Sequence, residues 1–285
     1  MEACEVVRLF VNKAIVPAEP KRPGNPGYGP VKALRVLVYA RLKGLDNDTR
    51  VVEHLKKHQW IAKTLGLGST VPDRTTVGRW WRRFLDILEQ TFLKITDMLQ
   101  LACPTKIAVV DSTPLVDLYD IEAGLGITSR GKFRGFKLHA VVNQFGLPLR
   151  AIVTRGNRYD GPFLPRLIQD LEADFVLADA GYDSKQNIKA VVGIAAKPVI
   201  ADNPRRKGKS RKIEPSGLLK AKRYLVEQFI GHFKANVLKG CWVRPRGLVK
   251  KTAMVMAGLI SYDVEAIKAL ILGENSLKTV SKYWA

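Results

Sequence analysis

Three acidic residues stand where the fold could bring them together for chemistry. Asp111 and Asp179 each follow a short apolar run, KIAVV before the first and FVLA before the second, which indicates two buried strands. Glu227 lies in KRYLVEQFIGHFK (222–234), whose apolar spacing predicts a helix. Ligands bind at strand ends in α/β sheets, and carboxylate oxygens suit Mg²⁺ or Mn²⁺. We therefore predict a divalent-cation site, although each aspartate by itself could instead cap the turn that follows its strand.

The helix predicted around Glu227 is basic. At about 100° per residue, Arg223, Glu227 and Lys234 fall within ~40° of one another, and Lys220 lies close to the same face. A neighbouring apolar stripe would pack on the sheet: Val226, Phe229, Ile230, Phe233 and Val237. The pattern predicts that Glu227 lies among cations that contact phosphates. The alternative is an ordinary surface pair between Arg223 and Glu227, with a stabilisation of ~0.3–0.5 kcal/mol.

The charge of the whole chain predicts a polyanionic partner. Lysine and arginine number 47 against 26 aspartates and glutamates, a formal net charge of +21 over 285 residues. Such an excess favours nucleic acid, because each neutralised phosphate releases counterions, although ribosomal and membrane-surface proteins share the bias. The three cysteines lack a C-x-x-C pattern and indicate reduced thiols. Without a visible signal peptide or membrane-length apolar stretch, we expect a cytoplasmic protein with no membrane association.

The first hundred residues predict a helical, DNA-binding domain. A Pro/Gly-rich connector (16–30) precedes two amphipathic helices, and a third helix begins near VPDRTT (71–76), where Asp73 or Thr75 can cap it. Its buried face would comprise Val77, Trp80, Trp81, Phe84 and Leu88. Its arginines would point outward to contact DNA as in helix-turn-helix proteins: Arg79, Arg82 and Arg83. The alternative is a helical cap whose arginines form a solvated face.

The rest of the chain predicts a mixed sheet flanked by helices. Strands are expected at 106–111, at 133–156 as a pair turning at 144–146, at 174–180 and at 193–201, with intervening helices at 161–171 and 184–192. The predicted domains are 1–30 (terminal segment and connector), 31–100 (helical), 101–275 (catalytic) and 276–285 (tail). The run NPRRKGKSRK (203–212), which contains Arg205 and Arg206, is either a loop that grips the DNA backbone or a solvated loop.

These motifs resemble the DDE transposases of prokaryotic insertion sequences, in the group marked by a Tyr-Arg-Glu-Lys helix. VVDST (109–113) resembles the first catalytic aspartate strand, and LADAGYD (177–183) resembles the second aspartate with its Gly-Tyr. The segment 222–234 carries Arg, Glu and Lys at the family's spacing. One departure is that Lys220 stands where the family has tyrosine. The resemblance covers most of the chain.

The resemblance implies a ribonuclease H-like catalytic domain in which Asp111, Asp179 and Glu227 are the catalytic, metal-binding triad. It implies two bound Mg²⁺ ions, with Mn²⁺ as a substitute, and strand cleavage followed by 3′-OH strand transfer. The partners would be the element's terminal inverted repeats and target DNA, bound by a homodimer in a prokaryotic cytoplasm and associated with the nucleoid during action. Three alternatives stay open: a metal-dependent nuclease without strand transfer, a non-catalytic DNA-binding derivative, and a ribosome-associated RNA-binding protein.

Some polar residues near these motifs receive structural interpretations. His139, in FKLHA, is interpreted as a half-buried strand residue and not as a general base, because an activated water needs no histidine. Asp160 and Asp183 are interpreted as helix caps. Trp242 is interpreted as a packing residue beneath the last helix, with stacking on a DNA base as the alternative.

Overall fold

The computed structural model describes residues 2–20, 27–128, 131–203, 217, 222–239 and 245–273. The chain forms two compact units, one of Met1–Leu99 with Phe233–Ala285 and one of Gln100–His232. Lys220, Arg205, Arg206 and Trp242 lie outside the described residues, so their predicted roles stay predictions. The domain boundaries predicted at 30, 100 and 275 also stay predictions.

The first unit is helical. Its N-terminal part contains α1 (Ala3–Phe10), α2 (Pro30–Leu42), α3 (Asp48–Lys57), α4 (Gln59–Thr64), α5 (Arg74–Arg83) and α6 (Leu85–Ala102), which runs on into the second unit. Its last helix is Leu248–Ile271, which we label α10 in chain order and which packs against α1, α2 and α5. No described helix is both long enough and apolar enough to cross a membrane.

Helix α5 forms as its sequence predicts. The Asp73 carboxylate accepts hydrogen bonds from the backbone N–H groups of Thr75 and Thr76, which caps the helix and confirms one of the two expected caps. The predicted apolar face is buried: Val77, Trp80, Trp81, Phe84 and Leu88. The helix ends at Arg83, and α6 begins two residues later. The buried face is therefore shared by two consecutive helices.

The second unit is a six-stranded mixed sheet with helices on both faces. Its strands are β1 (Ile107–Val116), β2 (Gly124–Thr128), β3 (Gly131–Asn143), β4 (Pro148–Arg155), β5 (Phe175–Ala178) and β6 (Lys197–Ile200). The order is β2-β3-β1-β5-β6, with β4 also beside β3. Strands β1 to β4 pair antiparallel, whereas β5 pairs parallel with β1 and β6 parallel with β5. This architecture confirms the predicted α/β class.

The two faces of the sheet carry different helices. Helices α7 (Leu164–Ile168) and α8 (Lys185–Gly193) cover one face, where Ala108, Val110 and Val176 join a buried apolar cluster. Helix α9 (Tyr224–His232) buries Leu225, Val226 and Phe229 and packs on β1 and β3. Because successive strand residues alternate between faces, Val109 and Asp111 point toward the α9 face.

Two sequence predictions are wrong in detail. Strand β1 does not end at Asp111 but continues to Val116, paired with β3 alone. The helix expected over 161–171 is a 3₁₀ turn, Gly161–Phe163, followed by a helix that ends at Ile168. Pro162 and Pro165 each lie at the start of one of these elements, since proline lacks the N–H that a helix interior needs.

Candidate active site

Asp111 and Asp179 lie side by side at the end of the parallel strand pair. The ladder between β1 and β5 ends with Val109 opposite Leu177. Asp111 and Asp179 each lie two residues beyond that pair, and therefore point to the same face as their strands' last paired residues. Neighbouring strands are about 4.8 Å apart, so the shared register brings the two side chains together.

A backbone N–H group holds one oxygen of each aspartate. Ser112 N donates to Asp111 Oδ1 at 2.7 Å, and Gly181 N donates to Asp179 Oδ1 at 2.9 Å. Asp179 is the N-cap of a 3₁₀ turn, Ala180–Tyr182. Asp179 therefore does cap the turn that follows its strand, as the alternative interpretation expected. Only its Oδ1 takes part in that cap. Both carboxylates are oriented by backbone contacts before any ligand binds.

Glu227 and Arg223 complete the cluster from helix α9. Glu227 lies in the first turn of the helix and is exposed, and Arg223 immediately precedes the helix. Both act electrostatically on Asp111: Glu227 raises its pKa and Arg223 lowers it. Arg223 Nε is buried and has no hydrogen-bond partner. Among the described residues, such an unpaired buried donor near Asp111 is unusual, because buried polar groups are normally hydrogen-bonded.

Burial and two neighbouring acids raise the pKa of Asp111. It is raised from 3.8 to about 6, chiefly because the carboxyl is buried and further because Asp179 and Glu227 repel its charge. The Ser112 N–H and Arg223 oppose that rise. A buried carboxylate whose charge is further opposed by neighbouring acids would be stabilised by a bound cation. Asp179, Glu227 and Arg223 thus all act electrostatically on Asp111, and the assignment of these residues to one site stays a prediction.

The donor set fits a hard divalent cation. Carboxylate oxygens are the ligands that Mg²⁺ prefers, and Asp111 and Asp179 each keep one oxygen free of backbone contacts. Within the described part of the chain, no three His, Cys, Asp or Glu side chains already enclose a common point. Repulsion separates like charges until a cation neutralises them. Glu227, being long and exposed, is the member best able to swing inward.

A polar cluster lies behind the carboxylates, on the α7 and α8 face. Lys137 Nζ contacts Asp160 Oδ1 at 2.8 Å and donates to Arg158 O at 3.0 Å. Tyr159 Oη donates to Gly181 O at 2.6 Å. The segment 158–160 therefore ties strand β3 to the turn that begins at Asp179. Sequence reasoning missed this connection, since Lys137 and Asp160 are 23 positions apart.

Tyr182 is a second residue whose place the sequence did not reveal. Its side chain is buried, and its pKa is raised by burial and by the charges of Asp160, Asp111 and Asp179. Among the described residues the hydroxyl makes no hydrogen bond of ordinary geometry, and the nearby Ser112 side chain opposes the rise of its pKa. Burial beside three acids keeps this phenol protonated, as a neutral donor next to the aspartates.

The interpretations of His139, Asp160 and Asp183 need correction in part. His139 is fully buried, not half-buried; its Nε2 lies 2.9 Å from Thr154 Oγ1 and its ring stacks on Phe163. Burial lowers the pKa of His139 to about 4, so it is neutral and held within the sheet. Asp160 makes no side-chain cap and instead pairs with Lys137. Asp183 accepts from Asn203 N, while Ser184 caps α8.

A change in helix type alters the predicted position of Lys234 relative to Glu227. Helix α9 ends at His232, and Phe233–Val237 forms a π-helical turn, so the angle of 100° per residue does not extend to Lys234. Lys234 also belongs to the helical unit. Its proposed contact with the reacting DNA stays a prediction.

The arginines of α5 line a groove in the helical unit. The groove has a volume of about 1260 Å³, and its walls carry six basic side chains against three acidic ones. The basic set is Arg50, Arg74, Arg79, Arg82, Arg83 and Lys250. The Arg83 guanidinium makes two 2.7 Å hydrogen bonds to Glu19, with which a ligand would compete. Arg79, Arg82 and Arg83 are all exposed, and their predicted role in DNA binding stays a prediction.

Comparisons with known proteins match both parts of the chain. Residues 103–264 match the family described as the Transposase DDE domain, and residues 5–83 match a family described as a Transposase domain (DUF772). No curated protein matches the sequence significantly.

Among solved structures, the fold is similar to that of a piggyBac transposase in a cryo-EM synaptic complex with hairpin DNA. The TM-score is 0.51 at 10% sequence identity, over 100% of this chain and 76% of that chain. At this identity the likeness concerns the fold alone. It confirms the predicted ribonuclease H-like architecture, with antiparallel strands followed by two parallel ones.

Proposed function

Because this chain belongs to the family of transposases with a DDE domain, we propose that Asp111, Asp179 and Glu227 are its catalytic triad. The family match covers more than half of the chain, and the second match extends over most of the helical part. The protein is thus an enzyme of DNA transposition that cleaves and transfers DNA strands.

One observation carries the assignment of residues. The charges of Asp179 and Glu227, which lie 68 and 116 positions after Asp111 in the sequence, both raise the pKa of Asp111. Acids so far apart along the chain interact only if the fold brings them together. Caps or surface pairs on separate parts of the fold would not both act on Asp111 in this way. The alternative of a basic RNA-binding protein, in which the three acids would lie far apart, does not account for these effects on the pKa of Asp111.

The reaction has two phosphodiester steps. Water attacks a phosphorus atom at the element's end, the P–O3′ bond breaks, and the departing oxygen takes up a proton to become a free 3′-OH. That hydroxyl then attacks a target phosphodiester, forming a new P–O bond while the target's own 3′ oxygen leaves and is protonated. Asp111, Asp179 and Glu227 would hold divalent ions at this place, since transposases of the family generally use such ions. We propose two Mg²⁺, replaceable by Mn²⁺; when bound they supply activation of the attacking oxygen and charge stabilisation of the leaving one.

The other residues of the site act on the DNA or on the acids. Arg223 has a buried Nε without a partner, and a phosphate oxygen at the site would accept from it. Tyr182 stays neutral, because burial raises its pKa. Lys137, Asp160 and Tyr159 fix the turn that carries Asp179. These residues position the carboxylates and the phosphate, and do not take part in bond breaking.

Further DNA contacts extend the proposal beyond the site. Arg79 and Arg82 would contact the backbone of the terminal repeats from the helical unit, as positioning contacts that carry no base information. Lys220, Lys234, Arg205 and Arg206 would contact phosphates near the reacting strand. We propose that 31–100 binds DNA and that 101–275 carries the chemistry. The enzyme would act as a homodimer on the nucleoid of a prokaryotic cell.

A strand-transfer assay tests the proposal against a nuclease without joining activity. The substrate is a DNA fragment with the element's terminal repeat and a pre-formed 3′-OH, incubated with target DNA and Mg²⁺. We expect joined products from the wild type, none from Asp111→Asn, and wild-type amounts from the exposed control Glu172→Gln. Hydrolysis without joining would support the nuclease, and equal activity of Asp111→Asn would remove the triad assignment.

A further inference from the structure

Tyr159 presents an exposed aromatic ring beside the turn that begins at Asp179. The residue lies in the loop 156–160, directly after β4, and its exposed fraction is 62%. Its hydroxyl donates a hydrogen bond of 2.6 Å to Gly181 O. Because the hydroxyl is bound to a backbone carbonyl, the ring is held in one place while most of the residue faces solvent.

A glycine allows the ring to lie close to the backbone. A Cβ at Gly161 would lie 2.8 Å from Tyr159 Cε1 and 3.4 Å from Gly181 O, so a side chain there would displace the ring. Gly161 is buried and begins the 3₁₀ turn Gly161–Phe163. The ring thus has one fixed contact at its hydroxyl and another at its edge. Little conformational entropy is lost when a flat ligand covers the remaining surface.

Further hydrogen bonds fix the loop that carries the ring. Arg158 N donates to Arg155 O at 3.1 Å, and Arg158 O accepts from Lys137 Nζ at 3.0 Å. Lys137 Nζ also contacts Asp160 Oδ1 at 2.8 Å. The residues on both sides of Tyr159 are therefore anchored to strand β3, and the sheet determines where the ring lies.

The ring lies close to a carboxylate of the candidate active site. Gly181 accepts the Tyr159 hydroxyl at its carbonyl and donates its own N–H to Asp179 Oδ1 at 2.9 Å. Because one residue spans at most ~3.6 Å, the hydroxyl lies within roughly 9 Å of that carboxylate oxygen. Burial raises the pKa of Tyr182, and so do the charges of Asp160 and of the two site aspartates. The loop and the carboxylates therefore surround one point.

Exposed arginines border the ring. Arg155, the last residue of β4, and Arg158 are both exposed, and they precede Tyr159 in the chain. Aromatic rings interleaved with basic side chains are typical of surfaces that bind unpaired nucleotides, since the rings stack on bases and the cations contact phosphates. The chemistry of this loop therefore fits a nucleotide better than it fits an apolar partner.

We propose that Tyr159 is a nucleobase platform, whose ring stacks on one DNA base that has left its stack next to the phosphodiester held at the carboxylates. Arg158 contacts the backbone of the same strand. The inference rests on the proposed function, which supplies the DNA and its reacting phosphate. Stacking positions the strand and takes no part in bond making or breaking. Since every base has a π-face, the platform accepts any base.

A tyrosine that only ties the loop to the turn would need its hydroxyl alone. The bond to Gly181 O accounts for the hydroxyl but not for the exposed, immobilised ring. Tyr159→Phe removes the bond and keeps the ring, whereas Tyr159→Ala removes both. The platform predicts that the two variants bind DNA differently, and the tie alone predicts that they behave alike.

Fluorescence anisotropy with a labelled, end-containing DNA fragment in EDTA tests the platform without metal-dependent chemistry. One abasic site is placed in turn at each of the nucleotides nearest the element's end. We expect Tyr159→Ala to bind intact DNA at least ~10-fold more weakly than the wild type, and Tyr159→Phe to bind within about threefold of it. At one position, the abasic site should weaken the wild type and Tyr159→Phe by that factor and leave Tyr159→Ala unchanged.

A matched control distinguishes the platform from any exposed tyrosine. Tyr119→Ala removes a residue with an exposed fraction of 76% from another loop of the same unit. This variant should bind intact DNA as the wild type does and should respond to the abasic site in the same way. The abasic series with the wild type needs no substitution, so it tests the platform even if Tyr159→Ala fails to fold.

Several results would overturn the platform. They are wild-type affinity in Tyr159→Ala, an equal loss in Tyr159→Phe, and a wild type that no abasic position weakens. Losses that multiply at every position would do the same, because two changes to one contact are not additive. Asp111→Asn should show the wild-type pattern in EDTA, so its loss of strand transfer tests the proposed function separately. Joined products from a wild type that lacks the abasic effect would contradict the platform alone.

Discussion

Replacing Asp111 with asparagine should stabilise the metal-free protein at alkaline pH while abolishing its chemistry. Asparagine has nearly the shape of aspartate and can still accept the hydrogen bond from Ser112 N, but it carries no charge. In the wild type, the ionised carboxylate is buried near Asp179 and Glu227, which oppose its charge. Removing that charge should therefore stabilise the folded protein when no cation is bound.

The magnitude follows from the pKa. The carboxyl titrates at about 6 in the fold against 3.8 as a model value, a difference of roughly two units. Each unit corresponds to about 1.4 kcal/mol, so ionised Asp111 costs at most ~3 kcal/mol. Because the folded pKa is raised, the wild type binds the proton more tightly when folded. Its stability therefore falls as the pH rises from about 4 to 6 and is level above that range.

Urea unfolding in EDTA at pH 4 and at pH 8 measures the effect. We expect Asp111→Asn to be more stable than the wild type by roughly 2–3 kcal/mol at pH 8 and to be equal to it near pH 4. The exposed control Asp174→Asn should differ from the wild type by less than about 0.5 kcal/mol at both values. Added Mg²⁺ should stabilise the wild type but not Asp111→Asn. If Asp111→Asn is no more stable than the wild type at pH 8, the ionised Asp111 carboxylate is not destabilised by its burial and its acidic neighbours, and the reasoning is refuted.

Three further predictions concern the surroundings of the site. Lys137→Met should cost on the order of 3 kcal/mol in chemical denaturation, because it leaves half-buried Asp160 without its cation, and Lys137→Met/Asp160→Asn should cost less. The ring of His139 should stay neutral at pH 5.5 by NMR, because burial lowers its pKa to about 4; stability should correspondingly fall as the pH drops from 6.5 to 4. Arg79→Ala should reduce the salt dependence of DNA binding by about one counterion, whereas Arg83→Ala should leave that slope unchanged, because Glu19 already holds its guanidinium.

Local sequence signals were sufficient where a residue's environment is set by its neighbours in the chain. Apolar β-branched runs predicted four of the strand regions, and Asp73 predicted the start of α5. The acids were found because a charged residue directly after an apolar strand needs a compensating partner. That Asp111, Asp179 and Glu227 act at one site stays a prediction; strand order, which the α/β pattern restricts, supports it for the two aspartates.

Strand β2 and the length of β1 were not predictable from local signals. Glycines at 124 and 126 lower the strand propensity of β2, and their reason lies in the ring of Phe133. Pro114 argues against a strand, yet it lies where β1 has lost β5 as a neighbour and pairs with β3 alone. Proline is tolerated more readily in such a stretch, which has a neighbouring strand on one side only.

The pairing of Lys137 with Asp160 depends on tertiary contacts in the same way. A cation in a strand and an acid in a following loop are ordinary surface residues by sequence. Only the packing of the 3₁₀ turn at Gly161 against the turn after Asp179 makes them neighbours. Sequence reasoning assigned Asp160 to a helix cap because the cap is the commonest local use of aspartate before a helix.

Single-turnover cleavage of an end-containing DNA fragment in Mg²⁺ tests most directly whether the three acids form one site. The variants are Asp111→Asn, Asp179→Asn, Glu227→Gln and the double change Asp111→Asn/Asp179→Asn, each with its DNA affinity measured in parallel. We predict that each single change lowers the rate at least ~1000-fold at unchanged affinity, and that the double change lowers it no further, because residues that act as a unit are not additive. A single variant that retains near-wild-type cleavage, or losses that multiply in the double variant, would contradict a shared catalytic centre.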